Sequence, residues 1–396
     1  MSRLVTVTIV VMLLRLASHA YAANRLGELM AESRWKKPAT KMVLALALVL
    51  PLLEFIVSRT YEPWSMFFTL LVQLEGFIFL VGWLLHGLGR FVVLVRQHGG
   101  ASGAAEDEEM DIVTEQGVEV TRRDVTSALG VGVAYGVPTL LFGYGSAVGR
   151  VDYTTEELVV RIPGLPKELD GYTIAQVSDV HTGPLVGEHQ LRQGFELVRR
   201  IKPDLIVATG DVVDHEYKYT DLFARVFTEL PARDGHVAIM GNHDHYAGAA
   251  EVTQRLRRGG VRVLDNEHLI IQKDAGKGIA LVGLDDPMGS KFGGGPDVQK
   301  ALRGLNPDLP RIMLQHRPDL FDSLSQHAAL MLAGHTHGGQ VSFGPLNPAR
   351  IVFKYVRGKY TRGESTLWVN RGFGVVGVPA RIDSAPEITK IVLVAV

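Results

Sequence analysis

The sequence predicts an α/β domain of two packed sheets flanked by helices over residues 151–396, preceded over 1–150 by an all-α membrane region of three to four helices. Three observations carry this. The first 150 residues are dominated by apolar runs long enough to cross a bilayer. From residue 156 onward, short runs rich in branched residues alternate with stretches at helical spacing, and the second half is richer in strands. Five polar clusters of the second region each follow one of those apolar runs.

Composition narrows the chemistry. The chain has 396 residues, a net charge of −1 and a hydrophobic fraction of 46% that averages two unlike regions. No global charge favours nucleic acid, so no nucleic-acid partner is expected. Cys is absent. That excludes disulfides, thiolate ligands and cysteine nucleophiles, leaving His, Asp, Asn and Glu to bind any metal.

In the N-terminal region, 4–23, 42–58 and 65–88 are apolar runs of about the length a bilayer requires, and 127–149 is a weaker run rich in Gly and Ala. One such run alone reads as well as a buried core helix; three or four with almost no amphipathic helix between them read as spans. Arg25, Arg34, Lys36, Lys37 and Lys41 lie between the first two, and Arg90, Arg96, Arg122 and Arg123 between the last two; the remaining turn has only Arg59. Keeping the basic segments inside puts 151–396 on the extracytoplasmic face of an inner or plasma membrane. Ala20-Tyr21-Ala22 would suit a signal-peptide cleavage site, but Arg15 and the basic loop weigh against it. Thr121-Arg122-Arg123 resembles a twin-arginine export signal, although it is internal and lacks the usual Phe-Leu pair. Glu54 and Glu75 fall inside spans, where an ionisable group needs a partner, and Arg15 is a candidate.

In the second region, Glu157–Ile162 and Thr173–Val177 read as strands, and Glu188–Ile201 as a helix with Leu191, Phe195, Leu197 and Val198 on one side. Leu205–Ala208 has the pattern of a strand buried on both faces and runs out into Thr209-Gly210-Asp211. A helix through 222–230, a strand His236–Met240 and a helix Ala249–Arg258 follow. Later strands are expected at 261–264, 269–272, 279–282, 311–314, 330–332, 367–369 and 388–394. The glycines around 293–295 form a loop, because no strand–helix frame surrounds them.

The clusters are Asp179-Val180-His181, Gly210-Asp211-Val212-Val213-Asp214, Gly241-Asn242-His243-Asp244-His245, Gln315-His316-Arg317-Pro318 and Gly334-His335-Thr336-His337-Gly338-Gly339. In extended chain, residues two apart point the same way, so Asp179 with His181, and His335 with His337, each project a pair of ligands. Carboxylate, amide and imidazole without sulfur suit Mn, Fe, Zn or Ni. Singly each cluster is weak, since a lone His is more often a surface or satisfied core residue. His19, His86, His98, His189, His215, His236, His268 and His327 fall in that category. Jointly the clusters offer at least seven ligands where a structural site takes about four, which fits two divalent ions.

The order D-x-H, G-D-x-x-D, G-N-H-D, H-x-P and G-H-T-H resembles that of the calcineurin-like metallophosphoesterases. The strings Gln176–His181 and Ala333–Gln340 are similar to a membrane-linked branch of that family. The resemblance covers roughly 156–396 and implies a four-layer αββα sandwich. One metal would be held by Asp179, His181, Asp211 and His337, and the second by Asp211, Asn242, His316 and His335, with Asp211 shared. His243 would be the general acid for the leaving oxygen, with Asp244 orienting its ring, and Asp214 would support the ligands from behind. The resemblance further implies attack on phosphorus by a hydroxide between metals about 3.5–4 Å apart. His245 stands where the family has Tyr or another aromatic, which puts the shape of the substrate pocket in question.

The expected activity is hydrolysis of a phosphate ester or pyrophosphate, with a lipid-linked or cell-envelope substrate favoured by the membrane region and membrane lipids as neighbours. A UDP-2,3-diacylglucosamine pyrophosphatase is one alternative, although that substrate faces the cytoplasm. A non-catalytic membrane metal-binding module is another, and His243 and Asp244 argue against it because neither is needed merely to hold ions. A transporter with a regulatory phosphoesterase domain rests only on Arg15, Glu54 and Glu75.

Overall fold

The computed structural model describes residues 3–29, 36–60, 72, 75–76, 78–84, 86–87, 112–113, 119–120, 122–274 and 277–396. The chain divides into two compact units, Met1–Gly143 and Tyr144–Val396.

The first unit contains helices α1 (Arg3–Leu29) and α2 (Lys36–Thr60), which pack together, and most of α3 (Arg122–Ala147). A two-residue ladder pairs β1 (Ile112–Val113) with β2 (Glu119–Val120). The expected spans 4–23, 42–58 and 127–149 fall on these three helices; most of 65–88 lies outside the described residues. Among the described residues no helix is long and apolar enough to cross a membrane. The fold therefore lends the multi-pass expectation no support. The helices carry polar or backbone-loosening residues within them: Arg15, Ser18 and His19 in α1, Pro51 in α2, and Pro138 with several glycines in α3. Arg15 does pair with Glu75, and His19, expected to be unremarkable, joins the same carboxylate. His86 accepts from or donates to the Tyr21 hydroxyl at 2.6 Å.

The second unit holds two six-stranded mixed sheets. The first runs β3 (Thr154–Ile162), β14 (Glu387–Ala395), β4 (Thr173–Val177), β5 (Leu205–Thr209), β6 (His236–Ile239), β7 (Arg262–Val263). The second runs β12 (Gly358–Arg362), β13 (Ser365–Val369), β11 (Leu330–Ala333), β10 (Arg311–Leu314), β9 (Lys277–Gly283), β8 (Glu267–Asp274). Strands β4 to β7 are parallel, as are β9, β10, β11 and β13, because helices or loops cross over between them. β4 and β5 are buried at almost every position, which is why they read as continuous apolar runs rather than alternating ones.

Three apolar layers follow from this. Ile174, Leu205, Val207 and Ile239 of the first sheet meet Ile279, Leu281, Ile312, Leu314, Leu330 and Leu332 of the second. Outside the first sheet, α4 (Glu188–Ile201), α5 (Thr220–Thr228) and α7 (Ala249–Arg258), with the short α6 (Asn242–Ala247) between the last two, bury Leu191, Phe195, Phe223, Phe227, Val252 and Leu256. Phe321, Leu324, Leu367 and Val369 close the far side of the second sheet. The two sheets are also joined through Gln176, whose amide donates to Thr209 Oγ1 and to the Ala333 carbonyl.

Two local differences from the sequence reading matter below. The Gly241–His245 cluster, expected only as a polar run after a strand, opens the helix α6. The run after Gly339 holds a one-turn helix, α8 (Ala349–Val352), and the edge strand β12, neither of which has a periodic apolar signal.

Candidate metal centre

Register brings the clusters together. Val177 pairs with Ala208 and Ala208 with Ala238, while Leu314 pairs with Leu332, so β4, β5, β6, β10 and β11 end near one level. Ligand sites in α/β sheets gather at such carboxyl ends. The backbone beyond the strands stays paired: Asp179 N donates to Gly210 O, His181 N to Asp211 O, and Gly334 N to His316 O, each at 3.0 Å. Close approach depends on glycine. A Cβ on Gly210, at φ +91°, would lie 2.6 Å from His316 Nδ1, and one on Gly334 would lie 2.2 Å from Asp179 Oδ2.

The candidate ligands themselves take an unfavourable backbone. Asp179, His181, Asp211, His335 and His337 all have φ between 49° and 73°. Each such residue costs on the order of 1–3 kcal/mol and persists only where the surroundings impose it. Strain gathered on five polar residues that face one another is what a preorganised site looks like.

Among the described residues four sets of side chains meet with ligand atoms within 4.8 Å of one another: Asp179, His181 and His337; Asp211, His316 and His335; His181, Asp211 and His243; and Asp214, His215 and His243. Asp211 Oδ2 stands between the first two, 3.2 Å from His316 Nε2 and 3.8 Å from His181 Nε2. Its other oxygen accepts from His243 N at 2.8 Å. His181 Nε2 and His337 Nε2 face each other at 3.1 Å, and His335 Nδ1 faces His316 Nε2 at 3.2 Å. Asn242 Oδ1 is buried with no hydrogen-bond partner. Imidazole nitrogens pointed at one another and an orphaned amide oxygen beside carboxylates are groups that a cation satisfies. Soft ligands are missing, so the donor set fits a divalent ion of the Mn, Fe, Zn or Ni kind.

The charges agree. Burial pushes Asp211 up, but His316, His181 and His243 outweigh it and hold the carboxyl well below the usual range. Burial and the charge of His316 push His335 down to about 3, and burial with His181 and Arg381 holds His337 well below the ordinary imidazole value. Neutral imidazoles and ionised aspartates are the forms that ligate, and Asp211, His335 and His337 lean that way. Burial pulls His316 down, but Asp211 outweighs it and raises the ring to about 10, and burial raises Asp179, so those two would give up a proton when a cation binds. His316 Nδ1 lies 2.8 Å from the Thr209 carbonyl, which fixes its ring and leaves Nε2 for the metal.

A family model for calcineurin-like phosphoesterases matches residues 172–339. A Bacillus subtilis protein described as uncharacterized metallophosphoesterase YkuE is 32% identical over 284 residues, 69% of this chain and 98% of that one. A Bos taurus "transmembrane protein with metallophosphoesterase domain" is 30% identical over 350 residues, 84% of this chain and 78% of its own. An Aquifex aeolicus metallophosphoesterase is 31% identical, covering 64% and 97%. The chain belongs to the calcineurin-like phosphoesterases.

This calcineurin-like phosphoesterase is thus a metal-dependent phosphoric ester hydrolase, and its remaining polar groups can be placed accordingly. His243 stands against His181, with ring centroids 4.6 Å apart. Its Nδ1 is 2.9 Å from the Asp214 carbonyl and 3.3 Å from the Asp214 carboxylate. Burial pulls the His243 ring down, and Asp214 and Asp211 outweigh it, so the imidazole sits above its ordinary value. The expected role of Asp244 needs correction. Its carboxylate accepts from Val212 N, Val213 N and Gly241 N at 2.8–3.1 Å and so braces the two loops; Asp214 orients the His243 ring instead. Burial and the charge of Asp211 push Asp244 up to about 7. His245 points away from the centre to Asp285, 2.7 Å from its Nε2, with Phe292 stacked on its ring.

Several residues of the phosphoesterase site escape sequence reading. His215, taken as unremarkable, places Nδ1 3.0 Å from Asp214 and its ring 4.8 Å from His243, while Tyr246 lies 5.4 Å from His243. Both adjoin a recognised cluster, which is the signal that could have found them. Arg317 pairs with the fully buried Asp286 at 3.0 Å. Arg381, itself almost wholly buried, donates to the carbonyls of Arg371, Gly372, Gly374 and Ser384 and lies 3.3 Å from His337 Nδ1. No motif surrounds it.

Proposed function

We propose that this phosphoesterase is a dinuclear, membrane-anchored enzyme acting on a phosphate ester or pyrophosphate of a lipid-linked or cell-envelope substrate. Asp179, His181, Asp211 and His337 hold one divalent ion; Asp211, Asn242, His316 and His335 hold the other. The observation that carries this is the position of Asp211 Oδ2 between both imidazole sets. When bound, the ions supply Lewis-acid polarisation of the phosphoryl oxygens and a lowered pKa for water.

The chain's own residues do the rest. Asp211 and Asp179 set the charge of the pocket, which two divalent ions leave positive and therefore attractive to a phosphate. Asp214 occupies His243 Nδ1, so Nε2 is the nitrogen free to carry a proton toward the leaving oxygen. Such general-acid help is worth roughly 10²–10⁴-fold. Asp244 keeps the Asp211 and Asn242 loops in contact.

Membrane attachment is supported by the apolar runs of the first 150 residues and by relatives whose name includes a transmembrane protein. The basic loops favour an extracytoplasmic face for the catalytic unit. The test is hydrolysis of an aryl phosphodiester by the purified full chain with and without Mn. Activity that disappears with chelator and returns with metal is expected; metal-independent activity, or none with any of Mn, Fe, Zn and Ni, would sink the proposal.

A further inference from the structure

The segment that follows the Gly334–Gly339 cluster carries an apolar ridge. Leu346, Ile351 and Val352 are 72%, 88% and 74% exposed, and Phe343 nearly half. Other large apolar side chains of the catalytic unit, such as Val159, Ile270 and Phe292, are exposed singly, whereas here four lie within ten residues.

The ridge is fixed to the candidate ligands. Asn347 Nδ2 donates to the Gly338 carbonyl at 2.9 Å, and Thr336 Oγ1 donates to the Val356 carbonyl beyond the ridge. Phe343 and Leu346 exchange backbone bonds at 2.9 and 3.1 Å, closing the turn, and Ser342 N donates to Ile382 O at 3.0 Å. Phe353, the residue after α8, sets its ring edge-on to His335 at 5.6 Å. The exposed apolar groups are therefore one residue away from a side chain that touches a candidate metal ligand.

Charge completes the pattern. Residues 343–364 contain Arg350, Lys354, Arg357, Lys359 and Arg362 against Glu364 alone. Asp322 takes Lys354 and Arg362, and Asp383 takes Arg357, which leaves positive charge in excess. Apolar side chains ringed by Lys and Arg fit the boundary between acyl chains and anionic headgroups.

We propose that the ridge Phe343–Val352 seats the catalytic unit on an anionic phospholipid surface, so that a phosphate at that surface is presented to the metal centre beside it. This rests on the lipid-linked substrate reading above and gives it a contact surface. Leu346, Ile351 and Val352 enter the acyl boundary; Arg350 and Lys359 stay at the headgroups.

The chain has no cysteine, so Ile351→Cys accepts a single environment-sensitive fluorophore. Full-length protein carrying it is reconstituted into vesicles of phosphatidylcholine with phosphatidylglycerol and bromine-labelled acyl chains. Quenching and a blue shift are expected at position 351 and not for the same label on Asp308→Cys, an exposed position elsewhere. An unquenched label at 351 overturns the proposal. So does a label that is shielded equally without lipid in a dimer that Ile351→Glu dissociates, which would assign the ridge to a second copy. Ile351→Glu with Val352→Glu should also lower hydrolysis of a vesicle-borne phosphoester at least about tenfold, leaving the soluble aryl ester unchanged. If the soluble ester is not hydrolysed by the wild-type chain, the enzyme reading fails on its own, and the quenching still reports on the ridge.

Discussion

Within Met1–Gly143 the buried side chains include Ser18, His19 and Glu75, while Leu13, Met42, Leu48, Leu129 and Leu140 face outward. Within Tyr144–Val396 the order is reversed: Ile174, Leu205, Val207, Leu281, Ile312 and Leu332 are fully buried, and the polar groups buried with them include Asp179, His181, Asp211, Asn242, His316 and His337 of the candidate metal centre. Arg15, His19 and Glu75 satisfy one another as a polar cluster within the first unit, whereas the second unit surrounds its strained polar centre with apolar layers. Each unit places charge where it can be satisfied, one by pairing its own groups and the other by gathering candidate ligands.

Substitutions can break that contrast from either side. The largest effect is expected for Asp211→Asn, which should reduce hydrolysis of the aryl phosphodiester to background while leaving the helical unit's circular dichroism intact. His243→Ala should retain its metals and lose roughly 10²–10⁴-fold in kcat, measured alongside metal content. Equal metal loss in His243→Ala and Asn242→Ala would make His243 a ligand. On the other side, Glu75→Ala leaves Arg15 without its carboxylate and should destabilise the helical unit by about 3–5 kcal/mol, read by unfolding in detergent, with hydrolysis of the soluble ester unchanged. Arg381→Met should weaken metal affinity about 10–100-fold by freeing His337, read by metal titration, with kcat nearly preserved at saturating metal.

The smallest effect concerns pH. A general acid works while protonated, and His243 sits above 6.5 because Asp214 and Asp211 outweigh its burial. Activity should therefore persist past pH 6.5 and fall as pH rises through the raised value. Asp214→Asn removes part of the cause, so the alkaline limb should move to lower pH; an unmoved limb would take the proton from some other group.

What the sequence made legible was whatever is local. Leu205–Thr209 as a doubly buried strand and the placement of Asp211 at a strand tip follow from side-chain direction and burial over a few residues. The D-x-H and H-x-H residues do meet at one centre, but not from extended chain, since all four take positive φ and His335 and His337 join different ligand sets. Relations between distant segments were not legible. The D of G-N-H-D looks like a partner for its neighbouring His, yet helix α6 turns Asp244 toward the Val212 and Val213 amides. Arg381 reaches His337 only because the last loop folds back before β14. His19 meets Glu75 from 56 positions away in the chain, a pairing that periodicity alone does not fix. The ridge at Phe343–Val352 was hidden for another reason: four exposed apolar residues look like core until the fold shows that none of the described residues covers them.

The most direct test of the shared carboxylate is metal content per chain, by elemental analysis of the purified full-length protein loaded with Mn and then of Asp211→Asn. Two ions per wild-type chain, with both sites weakened together in the variant, are expected. A single ion in the wild type, or two in Asp211→Asn held as tightly as before, would contradict a centre built around Asp211.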